Sequence, residues 1–183
     1  MPAPATNTFT VKVFLYNVEP EVWRRFTIPA TASFADFHRA IQQAMGWKNM
    51  HLHEFRHGKG KRLNDVIAPD DPDIMKGDNF QEESTVSLAK FVGRRPLPLR
   101  LLYRYDLTDD WIHEIVIEGK SPEETTLPAL VEGDRACPPE DCGGPALFMD
   151  ALAGELEFLD DRYDPARFTP SKHKFTKPKG VKG

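Results

Sequence analysis

Residues 33–46, SFADFHRAIQQAMG, decide the fold. Ser33 is placed to cap the free amides of a first helical turn, and Asp36, three residues on, completes a capping box. Phe34, Phe37, Ile41 and Ala44 recur at spacings that line one helical face. Gly46 supplies the left-handed stop. The pattern predicts a helix over 34–45 with one apolar stripe, and such a stripe must be buried against another layer.

The flanking residues supply that layer. Upstream, TFTVKVFLY (8–16) places Phe9, Val11, Val13 and Leu15 at alternate positions, the period of a strand with one buried face. After the loop NVEPE, VWRRFTI (22–28) reads as the returning strand, with Val22, Phe26 and Ile28 on one side and Trp23 and Arg25 on the other. Downstream, HLHEFRH (51–57) is strand-like, and GKGK (58–61) turns it toward a short partner at Arg62–Leu63. PLRLLYRYDL (98–107) and WIHEIVIEG (111–119) form a second hairpin. VSLAKFV (86–92) contributes one helical turn. ALFMDAL (146–152), opened by Pro145 and stopped by Gly154, and then ELEFLDD (155–161) are expected as short C-terminal helices.

This order predicts an α+β fold: a hairpin–helix–strand–hairpin core whose mostly antiparallel or mixed sheet is covered by one main helix, in a β-grasp-like arrangement. One domain spans 8–168. Within it, residues 64–85 carry seven acids, one lysine and many turn residues, and are expected to form an irregular acidic loop. Residues 1–7 and 169–183 are expected to be flexible ends.

The 183 residues, 40% of them hydrophobic, suffice for one sizeable core. No apolar run approaches the roughly 20 residues that span a bilayer. Two cysteines and no export signal predict a cytoplasmic, reduced protein without a structural disulfide. The net charge is −4, yet residues 171–183 hold five lysines and no acid, so the rest of the chain stands at −9. An acidic body is a poor nucleic-acid platform, which leaves the tail at 171–183 as the one segment suited to a polyanion.

Candidate chemistry centres on RACPPEDCGGP (135–145). Cys137 and Cys142 could supply half of a tetrahedral zinc site, with His51 and His53 two apart on a strand and His113 on the other hairpin as nitrogen donors. A reactive thiol is a second option. Cys142 precedes a helix N-terminus, but Glu140 and Asp141 beside it raise its pKa. The third is a turn stiffened by Pro138 and Pro139, with the cysteines packing as small apolar groups, and the residues favour it. His113 shares a strand face with Trp111, Ile115 and Ile117, so it is expected to be buried and bonded to a carbonyl or carboxylate. Trp23, Arg24 and Arg25 are candidates for contacting a partner's carboxylates or phosphates. Against that stands a structural role, with one arginine paired to an acidic turn and Trp23 beneath the helix.

Five segments in order, VWRRFTIPA, FHRAIQQAMGW, HLHEF, YDLTDDWIHEI and GDRACPPEDCGGP, resemble the signature segments of the plasmid pRiA4b ORF-3-like family, whose members are also described as TnpR-like passenger proteins of insertion elements. The likeness runs from about residue 8 to residue 168. It departs at Leu107-Thr108, where the family usually has Phe-Gly, and in the basic tail. It implies a link to plasmids and mobile elements and no established activity. The sequence therefore predicts a non-enzymatic binding or interaction module with no cofactor. Its expected partner is an unidentified protein, met through the sheet or the acidic loop. Zinc on the cysteines and histidines, or nucleic acid on the tail, are the alternatives.

Overall fold

The computed structural model of the chain describes residues 7–59, 62–74, 76, 79–169 and 174–181. Helix α1 runs Phe34–Met45, between the caps that its sequence specifies. The Ser33 hydroxyl accepts from the Asp36 N–H at 3.1 Å, and the Asp36 carboxylate accepts from the Ser33 N–H at 2.9 Å. Gly46 ends the helix in the left-handed region, at φ 90°.

The strands are β1 (Thr8–Leu15), β2 (Trp23–Pro29), β3 (His53–Lys59), β4 (Arg62–Ala68), β5 (Asn79–Glu82), β6 (Leu99–Tyr105), β7 (Trp111–Ser121) and β8 (Ala129–Asp134). They form one open sheet in the order β5-β4-β3-β6-β7-β1-β2-β8. Every neighbouring pair is antiparallel except β4–β5. Two further helices, α2 (Leu88–Val92) and α3 (Gly144–Leu152), complete an α+β fold. None of the helices is long and apolar enough to cross a membrane.

Helix α1 buries its stripe against the middle of this sheet. Phe34, Phe37 and Ile41 pack with Val11, Phe26, Ile28, Phe55, Tyr103 and Ile115 in one core. Phe37 stacks on Phe55 with ring centroids 5.5 Å apart, and Phe34 meets the same ring edge-on at 4.9 Å. Each such side chain contributes about 1.5–3 kcal/mol through burial.

Two expectations are corrected, and one further strand appears. The acidic segment is less irregular than its composition suggests. Val66, Ile67 and Ala68 are buried in β4, which pairs with β3 well beyond Leu63, and β5 joins it in parallel. Val66, Ala68 and Ile74 form a second, smaller apolar cluster. Next, ELEFLDD is not a helix: Gly154 turns the chain at φ 80°, and Asp160 holds a turn by accepting from the Arg162 and Tyr163 amides. Finally, the stretch after β7 holds an edge strand, β8, that the prolines around it conceal.

Residues 174–181 of the basic tail lie along α1. Thr176 and Gln43 exchange two hydrogen bonds, and the Lys179 and Gly180 amides donate to the Asp36 carboxylate at 2.7 and 2.8 Å. The turn expected at 60–61, the ends 1–6 and 182–183, and the tail at 171–173 lie outside the described residues.

Candidate functional site

Strand alternation settles the Trp23–Arg24–Arg25 group. Arg25 and Trp23 lie on the outer face of the sheet, where Arg25 pairs with Glu118 at 2.8 Å and also with Glu132. Lys12 sits 4.7 Å above the Trp23 ring, so Trp23 does not pack beneath the helix. The acidic hairpin turn is met by Arg104, which pairs with Asp110. Arg24 points the opposite way and is 1% exposed, so the three residues cannot form one contact surface.

The Arg24 guanidinium donates only to backbone carbonyls: Nε to Ala44 at 2.9 Å, Nη1 to Trp23 and Asp134 at 2.7 and 2.8 Å, and Nη2 to Arg135 at 2.9 Å. The Phe168 ring covers it, 4.0 Å from Cζ. Among the described residues no carboxylate lies within 4.0 Å of it. Burial lowers its pKa from the ordinary value, against the opposing pull of Cys137, Asp134 and Tyr163.

Arg24 forms part of the floor of a cleft of about 830 Å³. The end of α1 with Trp47 and Lys48 makes one wall, residues 136–140 a second, and the segment around Tyr163, Arg167 and Phe168 a third. The walls are tied together. Trp47 Nε1 donates to the Pro138 carbonyl at 2.9 Å, Tyr163 Oη to the Cys137 carbonyl at 3.2 Å, and the Ala136 amide to the Pro165 carbonyl at 3.0 Å. Glu140 accepts from the Lys48 amide at 2.8 Å and from the Tyr105 hydroxyl.

The cysteine loop leads into α3, with Pro145 in the first turn of the helix. Gly144 shows why glycine is needed: it has φ 84°, and a Cβ there would sit 2.5 Å from the Asp109 carbonyl oxygen. Both thiols are free. Burial pushes the Cys137 thiol up, and the nearby Arg24 charge does not offset it. Cys142 is pushed up to about 12, first by burial and then by the charges of Asp109, Asp141 and Glu140.

The histidines separate into three environments. His51 lies ahead of β3, not on it, so it does not share a strand face with His53. Its Nε2 is 2.7 Å from Asp141 Oδ1 and its Nδ1 is 3.6 Å from Asp106 Oδ2. These three residues form the one group of metal-ligating side chains among the described residues whose donor atoms lie within 4.8 Å of one another. Neither cysteine belongs to it. The carboxylates flank opposite ring nitrogens, an arrangement suited to an imidazole bridging two acids more than to a single ion held by all three.

His53 is buried, with Nε2 2.7 Å from Glu83 Oε2, and its ring stacks on His38 at 3.4 Å between centroids. His38, on α1, joins Tyr103 Oη at 2.8 Å and Asn49 Oδ1 at 2.6 Å. Asn49 Oδ1 can only accept, so neutral His38 donates to it from Nε2–H and its Nδ1 accepts from the Tyr103 hydroxyl, whose oxygen also accepts from Gln42 Nε2. His113 is 0% exposed; its Nδ1 lies 3.1 Å from the Trp111 carbonyl, while Nε2 has no hydrogen-bond partner among the described residues. Burial pushes His38, His53 and His113 each down to about 3, and pushes Glu83 up to about 7. His38 and Glu83 were not among the sequence candidates. The available signal was a histidine four residues after Phe34 and three before Ile41, at the edge of the apolar stripe.

The family model for plasmid pRiA4b ORF-3-like proteins matches residues 7–172. The chain belongs to that family. It is 39% identical over 160 residues to uncharacterized protein y4hQ of Sinorhizobium fredii (strain NBRC 101917 / NGR234), covering 85% of this chain and 73% of the relative. Its fold is similar to the crystal structure of a protein of unknown function, MM3350, from Methanosarcina mazei Go1. The TM-score is 0.75 and the identity 28%, over 92% of this chain and 98% of that one. The family match takes in all three walls of the cleft. Neither relative's name states an activity, so geometry must carry the functional reading.

Proposed function

We propose that this chain is a non-enzymatic binding module and that the cleft beside Cys137 holds its ligand. The observation that carries the reading is the enclosure of the reactive groups: Cys142, His38, His53 and His113 are all buried. Burial keeps both thiols protonated and His38, His53 and His113 neutral at physiological pH. A nucleophilic cysteine needs its thiolate. The buried imidazoles are held by structural hydrogen bonds, or, at His113, sealed from solvent.

The outer face of the sheet is less suited to a partner than the sequence suggests. Among the described side chains, its cations are paired: Lys12 with Glu21, Arg25 with Glu118, Arg56 with Glu54, Arg100 with Glu114 and Arg104 with Asp110. The cleft is concave and within the size range of small-molecule sites, about 300–1,000 Å³.

Equilibrium dialysis of the full chain against a metabolite extract, read by mass spectrometry, tests this. A compound retained and recovered chemically unchanged is the expected result. Conversion of a compound to product, lost in Cys137→Ser or Cys142→Ser with the fold intact, would overturn it.

A further inference from the structure

We infer that the ligand of this cleft is a small molecule carrying two or more negative charges; the inference rests on the cleft being the binding site. Four cationic side chains line it, Arg24, Lys48, Arg167 and Lys174, against one acid, Glu140. Both oxygens of that acid are already engaged, by the Lys48 amide and the Tyr105 hydroxyl. None of the four cations is paired with a carboxylate among the described residues, whereas the cations of β1, β2, β3 and β6 on the outer face are paired.

This local excess of positive charge stands in a chain of net charge −4. Like charges do not gather without a counter-charge at no cost, and the cost is greatest for a guanidinium taken out of water. Arg24 is the buried member: four carbonyls already hold its guanidinium and Phe168 covers it, so it adds positive field to the cleft and no direct contact. Lys48, Arg167 and Lys174 are exposed at the rim, where their side chains can close on an anion. An extended nucleic acid would need a stripe of cations along an open surface, not three at the rim of a concave site. Phosphate esters and polycarboxylates share the required chemistry.

Titration calorimetry on the full chain decides this at constant ionic strength. The probes are pyrophosphate, ATP, citrate, adenosine and a short single-stranded oligonucleotide. Pyrophosphate or ATP binding identifies a phosphate ligand, and citrate binding alone a carboxylate one; adenosine is expected not to bind. The double variant Lys48→Ala/Arg167→Ala removes two exposed, unpaired rim charges. It is expected to weaken the bound anion about tenfold or more, because 1.4 kcal/mol of lost attraction is a factor of ten. The inference is overturned if no small anion binds, if the double variant binds them as well as the parent, or if the oligonucleotide binds more tightly than every small anion. A neutral metabolite whose binding ignores the double substitution would end this inference and leave the binding module. An anion that binds and is turned over would do the reverse.

Discussion

Replacing Asp36 by Asn is expected to destabilise the fold severely while changing almost no volume. The Asp36 carboxylate is 2% exposed and receives the Ser33 N–H and hydroxyl at 2.9 and 2.8 Å. It also receives the Lys179 and Gly180 N–H groups at 2.7 and 2.8 Å, and the Arg39 guanidinium. It thus joins the start of α1 to the C-terminal segment. An amide keeps one accepting oxygen and presents N–H groups where the other was. With the amide nitrogen on the Oδ1 side, Lys179 and Arg39 lose their acceptor; with it on the Oδ2 side, Ser33 and Gly180 do. At least two donors are therefore orphaned in either orientation, two on the Oδ1 side and three on the Oδ2 side. At about 1.5 kcal/mol for each hydrogen bond to a charged group, the loss is about 3 kcal/mol. For a chain of this size that lowers the melting temperature by about 6–12 °C.

The pH dependence provides an independent check. Burial alone would raise the Asp36 carboxyl pKa, but hydrogen bonds from Lys179, Ser33 and Gly180 outweigh it and hold the group below its ordinary value. A folded pKa below the unfolded one contributes stability that is full above the unfolded value, about 3.9, and is lost as pH falls through the folded value. The gap between parent and Asp36→Asn should therefore be widest near neutrality and narrow below about pH 4. Urea melts followed by circular dichroism at pH 7 and pH 3.5 measure both, and trypsin cleavage after Lys174 and Lys179 should quicken in the variant. A variant within about 1 kcal/mol of the parent at pH 7 would refute the reasoning.

Four further outcomes are expected. Glu83→Gln should cost less than about 1 kcal/mol at pH 6, because a protonated carboxyl and an amide can both donate to His53 Nε2; a loss above about 3 kcal/mol in a urea melt would mean a buried ion pair instead. His113→Leu should fall within about 1 kcal/mol of the parent, since the lost bond to Trp111 is offset by removing an unpartnered buried nitrogen; a larger loss would reveal a partner for Nε2. Cys137 and Cys142 should resist a thiol-specific disulfide reagent at pH 8 in the native state and react on unfolding; labelling within seconds without denaturant would contradict their raised pKa values. Protein purified without added metal should carry less than about a tenth of an equivalent of zinc by elemental analysis, and a full equivalent that disappears in Cys137→Ser would restore the cysteine site.

The legible parts of this chain are those where the deciding signal is local. Helix α1 is specified within fourteen residues by Ser33, Asp36, its apolar spacing and Gly46. The β1–β2 and β6–β7 hairpins are specified by alternation on each side of a short connection. Strands β4, β5 and β8 are not legible because their stabilisation is distant. Val66–Ala68 is an apolar run too short to show a period, β5 is half-exposed and gains its partner in parallel, and β8 rests on β2 about a hundred residues earlier. The His38–His53 stack depends on how β3 registers under α1, which no spacing encodes. The cleft is the extreme case. Arg24, Lys48, Cys137 and Arg167 come from four segments, and only the sheet order brings them together. Residue-by-residue reading grouped Arg24 with Arg25 because they are adjacent, whereas the pleat sends one to a face of paired charges and the other to a site of unpaired ones. The net charge of −4 conceals that partition, and under the proposed reading it is the partition, not the sum, that would select a ligand.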